Sequence, residues 1–267
     1  MKKILFIIII LLTLLFLYGR YIEPNNIIIK EYTINTEKIP ESFKELKIVH
    51  FSDLLYDHDV SRLDIIKEKI NNENPDIILF TGNLFDNNNS YDDDDYNNLK
   101  SFLTGLEADY YKYTIFGNND EKYLEKFKDI LYESNFILLN NDSSLFFYKD
   151  KTPINIIGIT DLNTDIDSLF KSDIEYNYNL ILTDKPDNIE ALKNYDVDTV
   201  ISGHSLGGII NIPYYGGIIK MEGSQKYINE YYKIDDIELF VNNGLGYKYF
   251  NYRLFNTPSI NVYRFDN

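Results

Sequence analysis

Short apolar runs that end in polar, glycine-bearing turns recur along this chain. Residues 46–51 form one such run and stop at Ser52-Asp53; residues 76–81 form another and stop at Gly82-Asn83. Between them Val60, Leu63, Ile66 and Ile70 recur at helical spacing, Arg62, Lys67 and Glu68 fall off that face, and Pro75 ends the segment. The pattern predicts a strand–helix–strand unit with both turns at the strands' C-terminal ends, the edge where open α/β sheets bind ligands. A first strand is expected over 27–32, others over 113–116, 136–139, 145–148, 154–159, 179–182 and 198–201, and a helix over 121–132. The last part (209–212, 217–221, 239–241, 260–265) reads as short strands and turns. Residues 87–98, with aspartate at every position from 92 to 95, read as a solvated loop, because the spacing and glycine of a calcium loop are missing.

The first twenty residues differ from the rest. Met1-Lys2-Lys3 precedes an uncharged apolar run over 4–18, and Gly19-Arg20 closes it. A spanning helix takes ~20 apolar residues, with ~17 as a lower limit, so the run lies between a short anchor and a signal-peptide core. No small-residue cleavage motif follows, and an uncleaved anchor is the expectation. Lys2 and Lys3 place the N-terminus in the cytoplasm and the body on the extracytoplasmic face of the cell membrane, as a single-pass protein. The expected organisation is an anchor over 1–20, a linker and first strand over 21–45, and one domain over 46–267.

Composition narrows the partners. A net charge of -16 repels phosphate backbones, so nucleic acid is not an expected partner, and the membrane is met through the N-terminal helix. Cysteine is absent, which excludes disulfides, thiolate metal sites and a cysteine nucleophile. A hydrophobic content of 44% suffices for a substantial core.

Candidate chemistry sits in loops that follow strands. In order they are Ser52-Asp53-Leu54-Leu55, Thr81-Gly82-Asn83-Leu84-Phe85-Asp86, Gly117-Asn118-Asn119-Asp120, Thr183-Asp184-Lys185-Pro186-Asp187 and Gly203-His204-Ser205-Leu206-Gly207-Gly208. Gly244-Leu245-Gly246, Arg253 and Pro258 follow. From residue 46 to the C-terminus this series resembles the calcineurin-like metallophosphoesterases, and among them the membrane-associated bacterial branch acting on lipid-type phosphodiesters. The resemblance implies a four-layer α/β/β/α sandwich and a pair of divalent metals that activate a bridging hydroxide. The family writes Asp-x-His, Gly-Asp, Gly-Asn-His-Asp, a lone His, and Gly-His-x-His. Here Asp53, Asn118 and His204 keep their places. Leu55 and Leu206 stand where imidazoles are expected, Asn83 replaces the metal-bridging aspartate, Asp184 the lone histidine, and Asn119 the histidine that assists the leaving group. The chain has three histidines in all. Of the other two, His50 reads as a strand residue and His58 as a loop residue.

These replacements carry a cost. At ~4 Å and an effective dielectric of ~20, two doubly charged ions repel by roughly 17 kcal/mol, and an amide at position 83 supplies no countercharge. Leucine offers no lone pair, and Asn119 does not titrate near neutrality, so it cannot act as a general acid. The two-metal centre is therefore expected to be lost. Asp53, Asn83, Asn118, Asp184 and His204 remain as a residual, oxygen-rich set suited to one weakly held hard cation (Mg²⁺, Ca²⁺ or Mn²⁺). The reading is a catalytically impaired, membrane-anchored binding module. The alternative is an active phosphodiesterase working with one metal or rearranged ligands.

Overall fold

The computed structural model describes residues 1–248 and 251–266. In chain order the regular elements are helix α1 (Lys2–Leu17), β1 (Ile28–Asn35), β2 (Lys47–Phe51), α2 (Val60–Asn72), β3 (Ile77–Phe80), α3 (Asp93–Thr104), β4 (Tyr111–Thr114), α4 (Leu124–Glu133) and β5 (Phe136–Leu138). Then come β6 (Asp142–Phe146), β7 (Ile154–Ile159), α5 (Ile166–Leu169), β8 (Asn179–Thr183), α6 (Ile189–Leu192), β9 (Thr199–Ser202), β10 (Asn211–Ile212), β11 (Gly216–Gly217), β12 (Tyr231–Ile234), β13 (Ile237–Val241) and β14 (Ser259–Asp266).

Two six-stranded mixed sheets carry the structure, in the orders β1-β14-β2-β3-β4-β5 and β12-β13-β9-β8-β7-β6. Ile48, Ile77, Leu79, Ile156, Leu180, Ile201, Phe240 and Tyr263 fill the space between them. On the outside of the first sheet, Leu63, Ile66, Leu99, Phe102 and Phe127 of α2, α3 and α4 pack on Val49, Phe51, Ile78 and Phe80. On the second, Ile166, Leu169, Ile189 and Leu192 of α5 and α6 cover Ile157, Ile181, Val200 and Leu239. The result is the α/β/β/α sandwich. It explains why the central strands read as unbroken apolar runs, since both faces of each are buried.

The acidic run at 92–95 does not end a loop but begins helix α3. Asp92 accepts from the Asp95 backbone N–H at 3.0 Å, and the Asp95 carboxylate accepts from Asp92 N–H at 3.1 Å, a reciprocal capping box. Three aspartates in the first turn also complement the positive end of the helix dipole. Elsewhere boundaries shift: the strand expected over 145–148 lies at Asp142–Phe146, and a 3-10 turn (Glu121–Tyr123) precedes α4.

Topology fixes which edge carries function. β2, β3 and β4 are parallel, whereas β14 pairs antiparallel with β2, and β1 pairs parallel with β14. β1 and β14 therefore begin at the edge where β2, β3 and β4 end. The chain that leads into β1 arrives at that same edge. α1 continues through a wider turn, so that the apolar helix runs over Lys2–Asn25, long and apolar enough to cross a membrane. Its far end is bound to the domain. Gly19 C=O accepts from Arg253 N–H at 3.0 Å, and Phe16 stacks on Tyr252 at 5.7 Å. The buried Glu23 carboxylate accepts from the backbone N–H groups of Phe255 (2.7 Å) and Asn256 (2.6 Å). Gly19 permits the approach, because a Cβ there would lie 2.6 Å from the Tyr252 ring.

Candidate metal and ligand site

The loops after β2, β3, β4, β8 and β9 meet at this edge. Asp53, Leu55, Asn83, His204 and Leu206 all have φ between 43° and 64°, a left-handed backbone that turns each side chain back over the strand ends. The turns are pinned from beneath by Asp120. Its carboxylate accepts from Asn83 N–H (2.7 Å), Gly117 N–H (2.9 Å) and Phe85 N–H (3.2 Å). Buried Arg253 donates to the carbonyls of Asn243 (2.7 Å), Gly244 (3.1 Å) and Gly246 (2.5 Å), and so holds the glycine loop against the site.

Asn83 lies at the centre. Its amide nitrogen donates to Asp53 Oδ1 at 2.8 Å and to Asp184 Oδ1 at 2.7 Å. Its oxygen turns the other way and accepts from the Asn119 backbone N–H (3.0 Å) and side-chain amide (2.9 Å). The orientation is dictated by charge, since an amide between two carboxylates presents its donors. Asp53 Oδ2 accepts from Ser52 Oγ and from His204 N–H, both at 2.7 Å, and Asp184 Oδ2 accepts from Asn118 N–H at 3.1 Å. Asn118 thus contributes its backbone, while its side-chain oxygen faces the Asn119 amide at 3.4 Å.

Asp53, Asp184 and His204 offer ligand atoms within 4.8 Å of one another, all buried. His204 Nε2 lies 2.7 Å from the Glu222 carbonyl, which can only accept, so Nε2 carries the proton. Nδ1 lies 3.7 Å from Asp184 Oδ2, an ion pair when that nitrogen is protonated and a donor for a cation when it is not. Burial raises the Asp184 carboxyl to about 6, with the nearby His204 opposing and Asp53 adding to the rise. Burial raises Asp120 to about 7 despite its three N–H donors.

The other half of the expected centre is hydrocarbon. Leu55 and Leu206 are buried together with Ile209, and Ile210, Ile219 and Met221 pack on them. The two leucines fill the positions of the expected imidazoles with hydrocarbon. Leucine side chains offer a cation no donor atom at these two positions, and among the described residues Asp53, Asp184 and His204 form the cluster that fits a cation. Asn119 accepts from Lys248 Nζ at 3.1 Å, a contact that sequence reasoning did not anticipate. Lys248 follows Gly244-Leu245-Gly246 closely, and a cation just past that motif was the available signal. A cavity of about 250 Å³ opens beside the site, with Asn118, Asp184, Lys185 and Asn188 on its wall. His50 is a buried strand residue held by Thr81 (2.9 Å) and Tyr263 (3.3 Å), with burial holding its imidazole at about 3. His58 pairs with Asp95 at 2.8 Å.

A two-sheet sandwich with its ligand-bearing loops on one edge defines the class as an α/β/β/α phosphoesterase-type domain. The chain belongs to the calcineurin-like phosphoesterase family, whose pattern matches residues 46–208. It is 30% identical over 253 residues to the uncharacterized metallophosphoesterase YkuE of Bacillus subtilis, covering 92% of this chain and 88% of the relative. It is 26% identical to a second such protein of that organism, YkoQ, over 99% of this chain and 100% of the other. It is also 26% identical to the UDP-2,3-diacylglucosamine pyrophosphatase LpxG of Chlamydia muridarum, covering 75% of each.

Proposed function

We propose that this protein is a membrane-tethered binding module on a phosphoesterase scaffold, with hydrolysis absent or feeble. The observation that carries the reading is the Asn83 amide lying between Asp53 and Asp184 as their shared donor. It supplies by hydrogen bonding the neutralisation that a pair of cations gives in the family. The buried Leu55–Leu206–Ile209 cluster supports the same reading, because it closes the half of the site that would take the second ion. In this reading α1 spans the cell membrane once and the domain lies on the extracytoplasmic face. The ligand class is a phosphate-bearing lipid headgroup. It is supported by the tether entering at the site's own edge, by Lys248 and Lys185 near the opening, and by likeness to a relative whose named substrate is diacylated.

A second reading is favoured by the Asp53–Asp184–His204 cluster: a hydrolase with one hard cation. Those three residues would hold the ion, which when bound supplies Lewis-acid polarisation of a phosphoryl oxygen. Asp120 shapes the loop beneath, and Lys248 places a positive charge beside Asn119. One comparison separates the readings: hydrolysis of a chromogenic phosphodiester with Mn²⁺ by the unaltered chain and by a variant carrying Leu55→His, Asn83→Asp, Asn119→His, Asp184→His and Leu206→His. The binding-module reading expects activity only after restoration. Activity in the unaltered chain that Asp53→Ala abolishes establishes the second.

A further inference from the structure

We infer that the hairpin β10–β11 is a second membrane contact, beside the point where the apolar helix leaves the domain. The inference rests on the reading of α1 as a membrane tether.

Residues 205–219 contain no charged side chain, in a chain that is 25% charged. This stretch leaves the His204 loop, forms the hairpin and returns. At its tip Tyr214 and Tyr215 are 108% and 90% exposed, flanked by the exposed Ile212 and Ile218. Tyrosines so placed have no packing role, yet Tyr214 is held at φ 69°, a conformation costly for a bulky residue. Their amphipathic rings suit the membrane–water interface, where tyrosine is enriched. Backbone bonds close the hairpin and leave fewer polar groups to meet that setting. Tyr215 N–H donates to Ile212 C=O at 2.9 Å, Ile218 N–H to Ile210 C=O at 2.8 Å, and Pro213 brings no N–H to satisfy.

The occupant is identified by continuity with the tether. Asn211 N–H donates to Leu254 C=O at 2.9 Å, and Leu254 N–H to Ile209 C=O at 3.1 Å. Arg253, the adjoining residue, bonds Gly19 in the last turns of the apolar helix, and Phe255, its neighbour on the other side, is itself exposed and capped by Glu23. Hairpin, Phe255 and helix exit are therefore one connected surface, with the exposed Tyr21 and Ile22 on the helix side. A helix that leaves the domain at this place brings the bilayer to the hairpin. Gly208 and Gly217 let the base of the hairpin close on itself, since a Cβ on Gly208 would lie 2.4 Å from the Gly217 Cα. The membrane contact is in this way continuous in sequence with His204 and Leu206.

The test uses the full chain, which contains no native cysteine. Single variants Ile9→Cys, Tyr214→Cys, Tyr215→Cys and Tyr132→Cys are labelled with an environment-sensitive fluorophore. They are reconstituted into phosphatidylcholine vesicles with and without acyl-chain nitroxide lipid. Tyr132 is an exposed control at the end of α4, which leads into β5 at the opposite edge of the sheet. Quenching several-fold stronger at 9, 214 and 215 than at 132 is expected. Strong quenching at 9 with 214 and 215 behaving like 132 overturns the hairpin contact and leaves the tether standing. No quenching at 9 overturns the tether, and the hairpin contact then stands only if 214 and 215 are quenched by themselves. A blue-shifted but unquenched label at 214 means a protein surface covers the hairpin, which also overturns the inference.

Discussion

Replacing Asn83 by aspartate reverses the sign of the site's central interaction. The amide donates to two carboxylates, at 2.8 and 2.7 Å, and the substitution removes both bonds while adding a third acidic group. Hydrogen bonds to charged partners are worth ~1.5–3 kcal/mol each, so the loss is ~3–6 kcal/mol before any repulsion is counted. Like charges at ~4 Å and an effective dielectric of ~20 add ~4 kcal/mol per pair as an upper bound, which the new group escapes by taking up a proton. At ~2–4 °C per kcal/mol for a domain of this size, Asn83→Asp is expected to lower the unfolding temperature by ~6–24 °C at pH 8 in chelator. Circular dichroism of the detergent-solubilised full chain reads this directly. The deficit should shrink at pH 5, where the three carboxyls share protons, and should be largely reversed by millimolar Mn²⁺, whose charge the new carboxylate helps to bind. Unfolding at the wild-type temperature at pH 8 in chelator would refute the bridging role of the amide.

Other consequences follow from the same geometry. Asp184 and Asp120 have carboxyls raised from 3.8 to about 6 and about 7, so their contribution to stability is fully present below about pH 4 and is lost as pH rises through 6 to 7. In chelator the unaltered protein should therefore be more stable at pH 5 than at pH 8, by a few kcal/mol at ~1.4 kcal/mol per pKa unit, and melt at a higher temperature there; a flat profile across this window contradicts the assigned burial. Glu23→Ala leaves the N–H groups of Phe255 and Asn256 without their acceptor, at ~1–3 kcal/mol each. Limited proteolysis should then cut near residue 23 faster, while cutting at the opposite edge is unchanged.

Much of the fold was legible because the central strands are buried on both faces, and such strands announce themselves as apolar runs ending in turns. Val60, Leu63, Ile66 and Ile70 marked α2 by their spacing alone, and three of these four are buried. Helix α3 was hidden because its first turn is aspartate, a residue whose local signal is that of a loop; the stabilisation comes from the reciprocal Asp92–Asp95 cap, a contact between positions and not a composition. The residues that gather at the site were legible as motifs, but the direction of each group was not. That Asn83 points its nitrogen at the acids depends on Asp53 and Asp184 converging from separate sheets. The Lys248–Asn119 contact and the Glu222 carbonyl behind His204 join segments far apart in sequence, where no periodicity exists to read.

The plugged half of the site bears on whether a cation is needed for folding. Leu55 and Leu206 hold φ at 45° and 43°, a left-handed conformation that costs a non-glycine residue ~1–2 kcal/mol. In a dinuclear centre, metal–imidazole bonds offset such a cost. Here each leucine is almost fully buried, and burying a leucine side chain contributes ~1.5–3 kcal/mol. Hydrocarbon packing is thus sufficient to hold both turns, and the Asn83 amide holds the acids between them. On the binding-module reading, the loops keep the outline of a metal site with no ion required to maintain it. Exhaustive chelation is accordingly expected to leave the unfolding temperature of the unaltered protein unchanged at neutral pH, although the same treatment destabilises Asn83→Asp. A fall of several degrees on chelation, restored by Mn²⁺ and absent in Asp184→Asn, would mean that Asp53, Asp184 and His204 retain an ion as a structural part. The balance then shifts to the single-cation hydrolase.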